Sequence, residues 1–402
     1  WDGNGFMKGV LGPGGWVARI NPDGTQWELQ TVGFRNEYDA AVHRDGDLFT
    51  FDADMEWDMN TPWYRPTRIC FVASGADFGW RSGASKWPTY YPDTLPPVVD
   101  IGPGSPTGVT FGYGAKFPAK YQNAFYAADW SYGKLYAVHL EPDGAGYKGK
   151  AEEFITGQPL PLTEVIVNPR DGAMYFTIGG RKTQSALYRV TYAGSESTAP
   201  ANKKLAGGST RELRRKLESF HGRQDPKAVK AAWSFLRHKD RYLSTAARVA
   251  IEWQPVATWR EQALAEKDPN GAINALIALV RASAKDEPHR KPSDPLPDPT
   301  LQPAVLASLD RLKWDSLNEE QKLGVLRTYA LTFIRLGRPD EATRQRLGGL
   351  FESRFPASSL PLNVQLGELM VYLETPGAAA KLVAALERAP SQEEQIDRKS
   401  VV

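Results

Sequence analysis

Apolar and polar residues alternate in short runs through the first half of the chain, and each run is closed by a turn signal. One order recurs: an apolar strand, a turn or loop, an aromatic strand, then an outer strand. The first copy is Tyr38-Asp-Ala-Ala-Val, the turn His43-Arg-Asp-Gly and Leu48-Phe-Thr-Phe, followed by Thr67-Arg-Ile-Cys-Phe-Val. The second is Thr107-Gly-Val-Thr-Phe, a longer loop and Ala124-Phe-Tyr-Ala-Ala, followed by Leu135-Tyr-Ala-Val-His-Leu. The third is Thr163-Glu-Val-Ile-Val, the turn Asn168-Pro-Arg-Asp-Gly and Ala173-Met-Tyr-Phe-Thr, followed by Leu187-Tyr-Arg-Val-Thr-Tyr. A hairpin strand, Trp16-Val-Ala-Arg-Ile with the turn Asn21-Pro-Asp-Gly, precedes them. Strand–turn–strand–strand units in series predict propeller blades, which need neighbours on both faces.

The period changes near residue 194. Ala193-Gly-Ser-Glu-Ser-Thr-Ala-Pro200 reads as a linker, and from Ser209 onward apolar residues recur at helical spacing. Leu213, Leu217 and Phe220 form one stripe; Val229, Ala232, Trp233 and Leu236 the next; Ile273, Leu276, Ile277 and Val280 a later one. Ser209 with Glu212 predicts a capping box, and Asp225-Pro226 and Asp268-Pro269 predict helix starts. The proline-rich stretch 286–299 predicts an extended loop. The expected fold is multidomain. Residues 1–193 form part of an all-β propeller, 194–203 a linker, and 204–396 an all-α domain of HEAT-like helical repeats. Three blades and a remnant do not close a ring of ~4–8 blades. The sequence is therefore expected to be a fragment, holding about three blades of six. Residues 397–402, DRKSVV, resemble a translated sequencing adapter and are read as no part of the fold.

Composition narrows the classes. Of 402 residues, 41% are hydrophobic and 24% charged, which suits packed domains rather than disorder. The net charge of +2 gives no footprint for nucleic acid, and no apolar run reaches the ~18 residues of a membrane span. A single cysteine, Cys70, excludes an internal disulfide or a cysteine zinc site. Eight of the twelve tryptophans lie in the β half: Trp1, Trp16, Trp27, Trp57, Trp63, Trp80, Trp87 and Trp130.

Gly33-Phe-Arg-Asn36, the aromatic strand Leu48–Phe51, an acidic loop and Gly75-Ala-Asp-Phe-Gly-Trp80, in that order, resemble the glucose/sorbosone dehydrogenase family. Ser105-Pro-Thr-Gly108 and Phe117-Pro118 are similar to the family's next blade. The runs Phe51-Asp-Ala-Asp-Met-Glu-Trp-Asp58 and Pro62-Trp-Tyr-Arg-Pro-Thr-Arg68 resemble a planctomycete-type multidomain subgroup. There a sorbosone dehydrogenase-like propeller precedes HEAT-like helices and a c-type haem domain. The resemblance implies a six-bladed quinoprotein of the periplasm or cell surface. It would oxidise a sugar, polyol or aldehyde with pyrroloquinoline quinone (PQQ) and pass electrons to haem. No Cys-x-x-Cys-His haem motif lies in this sequence, so the haem domain and the remaining blades are expected elsewhere in the same protein.

In the family an Arg-Asn pair at a blade start faces the cofactor, which implies Arg35 and Asn36. PQQ is a tri-acid, so a guanidinium fork and an amide suit its carboxylates. The competing reading has Arg35 bracing the blade against Asp39. Arg181 and Lys182 stand with Gly179 and Gly180 at a corresponding strand end, as does the run from Asp129 to Gly133, and could add positive charge for an acidic ligand such as the cofactor; turn chemistry alone also accounts for both runs. Asp52, Asp54, Glu56 and Asp58 could converge on calcium. The family's Glu-x-Gly-Pro-like calcium turn is missing, however, and alternate side chains on a strand point to opposite faces. Trp57, Trp63, Tyr64 and Trp130 are candidate substrate-facing aromatics. The catalytic base is unassigned: His43 lies in a strand turn and His139 in an outer strand. Residues 203–241 are locally basic; they are read as a solvated helical face, with docking of an acidic partner or of the acidic propeller loop as the alternative. Two rivals to the enzyme remain, a non-catalytic carbohydrate-binding propeller and a scaffold whose helices do the binding.

Overall fold

The computed structural model describes residues 14–55, 64–81, 85–180, 182–201, 208–390 and 395. The chain divides into two compact units: residues 1–88 with 94–216, and residues 89–93 with 217–402.

The first unit is a series of small sheets. In chain order the strands are β1 (Gly15–Ile20), β2 (Trp27–Phe34), β3 (Ala40–Val42), β4 (Leu48–Asp52), β5 (Thr67–Phe71), β6 (Ala76–Asp77), β7 (Trp80–Arg81), β8 (Ser85–Lys86), β9 (Val99–Gly102), β10 (Pro106–Phe111), β11 (Phe125–Asp129), β12 (Lys134–Asp143), β13 (Gly146–Thr156), β14 (Leu162–Val167), β15 (Met174–Gly180) and β16 (Thr183–Val190). They form sheets β1-β2-β6, β3-β4-β5-β9, β10-β11-β12-β13 and β14-β15-β16, with β7-β8 as a separate ribbon. Neighbours are antiparallel except β2 with β6. The leading strands β3, β10 and β14 of three successive sheets gather side by side.

The alternation seen in the sequence fills the spaces between these sheets. Phe49, Phe71, Phe111, Phe125 and Tyr147 pack edge to face between the second and third. Tyr126, Leu135, Leu162, Val165, Met174, Phe176 and Ile178 fill the space between the third and fourth. At the two ends of the series apolar side chains stay exposed. Trp16, Ile20, Trp27 and Leu29 share one face of the β1–β2 hairpin, and Ile166 and Leu187 project from β14 and β16.

The helices are α1 (Ala119–Gln122), α2 (Gly208–Glu218), α3 (Ala228–Ala232), α4 (Arg241–Glu252), α5 (Arg260–Ala265), α6 (Pro269–Ser283), α7 (Leu301–Asp310), α8 (Glu319–Leu336), α9 (Glu341–Arg354), α10 (Leu360–Tyr372) and α11 (Ala378–Glu387). Within the second unit α4, α6, α8 and α10 form a row in which each packs on the next, with α5, α7, α9 and α11 alongside. Asp268 caps α6, its carboxylate accepting Gly271 N–H with Pro269 in the first turn. Asn318 and Gln321 close a capping box at α8. Ala272–Val280 is buried all round, as a central helix requires.

The expectation of a solvated basic face is corrected at α2. Arg211 and Arg214 are buried and reach the β3–β4 turn, where Arg214 ion-pairs with Asp47 and Arg211 with Asp45. Arg214 also donates to Ala145 O at 2.9 Å and lies over the Phe71 ring. A guanidinium leaves water only where acceptors replace its hydration, and the Asp45–Asp47 turn supplies them.

Candidate functional site

The chain enters the second sheet through the loop after β2. The first N–H groups of this loop lie beyond the strand ladder, and Asp52 at the end of β4 accepts them. Asp52 Oδ1 lies 2.8 Å from Arg35 N and 3.2 Å from Asn36 N. Its other oxygen accepts Arg68 Nε at 3.1 Å and Nη2 at 3.0 Å, and Lys86 Nζ stands 3.2 Å away. All three side chains are buried, with Asp52 at 0% exposure. Lys86 also donates to the carbonyls of Ala53 and Pro66, and Arg68 to that of Phe78. Burial alone would raise the Asp52 carboxyl, but Lys86 and Arg68 outweigh it and hold the group below its ordinary range. Burial pushes Lys86 down to about 8, which Asp52 offsets only in part.

Arg35 then turns to Asp54. Its Nη1 donates to Asp54 O at 2.7 Å and sits 3.8 Å from Oδ1, with about a quarter of the side chain exposed (26%). Asp54 Oδ2 accepts Gly104 N–H at 3.1 Å, which carries the network to the next sheet. The arrangement repeats there. Asp129, at the end of β11, accepts N–H from Ser105 at 2.7 Å, Ser131 at 3.0 Å and Tyr132 at 3.0 Å. Ser105 Oγ and Ser131 Oγ are 2.6 Å apart. The Trp130 indole donates to Gly179 O at 2.7 Å, reaching the end of β15. One ridge of polar groups thus crosses the same ends of three consecutive sheets.

Glu37 follows the Arg35–Asn36 pair directly and carried no signal in the sequence. Its carboxylate packs over Gly15. Burial pushes it up to about 7, its own and the Trp16 backbone N–H oppose this, and Asp52 adds to it.

The sequence expectations meet this geometry unevenly. Arg35 and Asn36 stand where a ligand at the strand ends would meet them, with the Asn36 residue exposed. The brace expected between Arg35 and Asp39 is made with Asp54 instead; Asp39 accepts Ala40 N and Val109 N. Asp52 does not fit calcium, because both of its oxygens are taken by the chain's own cations and N–H groups. Asp54 Oδ2 accepts Gly104 N–H, and its Oδ1 lies 3.8 Å from Arg35 Nη1. Glu56 and Asp58 lie outside the described residues, as do Trp57, Trp63 and Arg181; among the described residues no group of three potential ligands could hold a metal ion. Trp130 is half-buried beneath Gly180, a packing position between sheets rather than an open platform. Tyr64 is exposed, and so is Tyr132, which sequence reasoning did not single out as an aromatic platform.

Neither histidine of this unit lies on the ridge. His43 is buried among Phe49, Phe111, Tyr113 and Tyr147 at the opposite end of β4, where burial lowers its pKa against the pull of Asp45 and Asp47. His139 sits on β12 with Nε2 at 2.9 Å from Glu152. Cys70 is buried and burial pushes its thiol up to about 12, which disfavours the nucleophilic thiolate.

No protein-family model matches the sequence, and no curated protein matches it. Among solved structures, similarity is found to a putative oxidoreductase (glucose dehydrogenase) from Thermus thermophilus, at 20% identity and TM-score 0.33 over 40% of this chain and 47% of that one. The PQQ-bound aldose sugar dehydrogenase of Streptomyces coelicolor matches at 15% identity and TM-score 0.33, over 44% of this chain and 51% of that one. A further glucose dehydrogenase matches at 18% identity and TM-score 0.34, over 43% and 50%. The chain spans about half the length of these sugar dehydrogenases. No helix among the described residues is long and apolar enough to cross a membrane.

Proposed function

We propose that this chain is part of a sugar- or aldehyde-oxidising quinoprotein that binds PQQ at the strand ends bearing Arg35 and Asn36. One observation carries the reading: a buried, doubly cation-paired aspartate fixes the backbone of an Arg-Asn pair at the rim of a sheet, beside a ridge of further N–H and hydroxyl groups. PQQ supplies the two-electron oxidant. Arg35 supplies a planar fork for one of its carboxylates and Asn36 an amide donor. Asp52 is not available to calcium, because both of its oxygens are held by the chain.

In this reading the sheets are blades of a six-bladed propeller, and further blades cover the apolar faces at the two ends of the series. The helical row is a HEAT-like repeat, and a c-type haem domain of the same protein takes the electrons outside the cytoplasm. The exposed Tyr64 and Tyr132 favour a second reading, a propeller that holds saccharides without oxidising them. One experiment separates the two. The whole protein, with the further blades present, is purified, loaded with PQQ and offered aldoses, polyols and aldehydes with an artificial electron-accepting dye. Dye reduction supports the quinoprotein; saccharide binding without reduction favours the second reading and ends the first.

A further inference from the structure

Two aspartates close equivalent strand ends in successive sheets, yet only one is ion-paired. Asp129 holds its loop with three backbone N–H groups, and among the described residues no lysine or arginine ion-pairs with it. Burial raises its pKa, opposed by those N–H groups and, more weakly, by the charge of Lys134. Asp52 does the same structural task for the Arg35–Asn36 peptide and in addition receives Arg68 and Lys86 on its second oxygen. Holding a loop does not need those contacts, as Asp129 demonstrates. Burying two cations around one carboxylate costs desolvation that an apolar core would avoid. Of these two sheet ends, the extra charges stand behind the one that carries Arg35.

Resting on the function proposed above, we propose that Asp52 is the positioning residue of this site. It accepts the Arg35 and Asn36 amides on one oxygen while Arg68 and Lys86 fix the other, and so aims the guanidinium and the amide together at one carboxylate of the bound quinone. The geometry supports each part. The two N–H groups lie beyond the strand ladder, so without Asp52 their direction is set by water. The Arg68 fork and the Lys86 ammonium both hold the second oxygen, which restrains the carboxylate and with it the first oxygen. Arg35 leaves this anchored peptide to rest on the Asp54 carbonyl, at the edge of the ridge rather than inside it.

The test compares Asp52→Asn, Asp52→Ala and, in the full chain as a structural control away from the ridge, Asp171→Asn, which removes a carboxylate that accepts Ala173 N–H in the turn before β15. Two readouts are taken: amide hydrogen exchange at residues 35 and 36, and PQQ affinity by quenching of tryptophan fluorescence. Asp52→Ala is expected to speed exchange at both amides and to weaken PQQ about tenfold or more. Asp52→Asn keeps an oxygen for the amides, so it should preserve most of their protection but still lose affinity, because the asparagine plane is no longer set by two cations. Asp52→Asn combined with Lys86→Met and Arg68→Met removes both stranded cations and keeps the fold measurable if the single variant does not fold. Asp171→Asn should lower thermal stability and leave PQQ affinity unchanged. The proposal is overturned if Asp171→Asn weakens PQQ as much as Asp52→Asn does, or if Asp52→Ala leaves exchange at 35 and 36 unaltered. A wild-type chain that binds no PQQ removes the functional reading and the aiming role together; the exchange data still decide whether Asp52 holds the peptide.

Discussion

Arg214 Nη2 lies 2.9 Å and 3.0 Å from the two carboxylate oxygens of Asp47, a residue 167 positions earlier in the chain. Tyr147 donates to the same carboxylate at 2.6 Å. The pair is buried, so removing one partner leaves the other charged and dry. Arg214→Met is expected to destabilise the first unit by roughly 3–5 kcal/mol. Arg214→Met with Asp47→Asn should recover much of that loss, since no lone charge then remains. Urea denaturation of the two variants checks this, and equal or additive losses would contradict it. Burial acts to raise the Asp47 carboxyl, but Arg214, Tyr147 and Arg215 hold it below its ordinary value. Its stabilisation is therefore present above the unfolded pKa and is lost as pH falls through the lower folded one.

Glu37 behaves in the opposite sense. Its folded pKa, about 7, stands above the ordinary glutamate value of 4.5. The folded state thus holds a proton that the unfolded state has released between those values, and stability falls as pH rises across that window. Glu37→Gln should match the wild type in thermal midpoint near pH 4.5 and exceed it at pH 8, because glutamine keeps an oxygen for Trp16 N–H without the buried charge. A difference that does not change with pH would rule this out.

Gly33 and Gly46 share φ of 85° but differ in surroundings. A Cβ on Gly46 meets nothing within 4 Å, whereas one on Gly33 would press on the Asp77 carboxylate and come within 2.5 Å of Gly79 N. Gly46→Ala should cost about 1–2 kcal/mol, the strain of left-handed backbone alone. Gly33→Ala should cost several times more or leave no soluble protein. Similar thermal midpoints for the two would refute the assigned packing.

In the helical unit Asp93 is fully buried, with Arg327 Nε at 2.9 Å from Oδ1 and Nη2 at 2.8 Å from Oδ2. Burial would raise its pKa, and Arg327, Arg281 and Arg248 hold it far below the carboxylate range. Asp93→Ala is expected to lower the urea midpoint of the helical circular-dichroism signal by an amount equivalent to roughly 3–5 kcal/mol. An unchanged midpoint would mean that the network is dispensable.

The strands that face a core on at least one side were legible from their alternation: Leu48 to Phe51, Thr107 to Phe111 and Thr163 to Val167 all lie in strands. β13 was not, because Gly146–Thr156 is a sheet edge paired by backbone to β12, and its lysines and glutamates carry no apolar period. α10 was missed as well; Pro361 reads as an interruption in isolation but occupies the first turn, where its missing N–H has no cost. At the site, Arg35 and Asn36 could be placed from their neighbours. Asp52 could be located but not understood, since its cations come from Arg68 on the adjacent strand and from Lys86 in a ribbon with no motif. A usable signal was present: an aspartate follows the aromatic strand in two copies of the repeat, at Asp52 and Asp129, which points to a repeated backbone anchor more than to a metal ligand.

Arg35 is the residue on which the quinone assignment turns, and a direct titration tests it. Wild type and Arg35→Met are titrated with PQQ, with binding followed by tryptophan fluorescence and folding by thermal midpoint. Saturable binding by the wild type is expected, weakened about tenfold or more in Arg35→Met by loss of a charge-assisted fork, with the midpoint of the variant little changed. Equal affinity in the two proteins, or no saturable binding in either, would contradict the assignment of this sheet end as the quinone site.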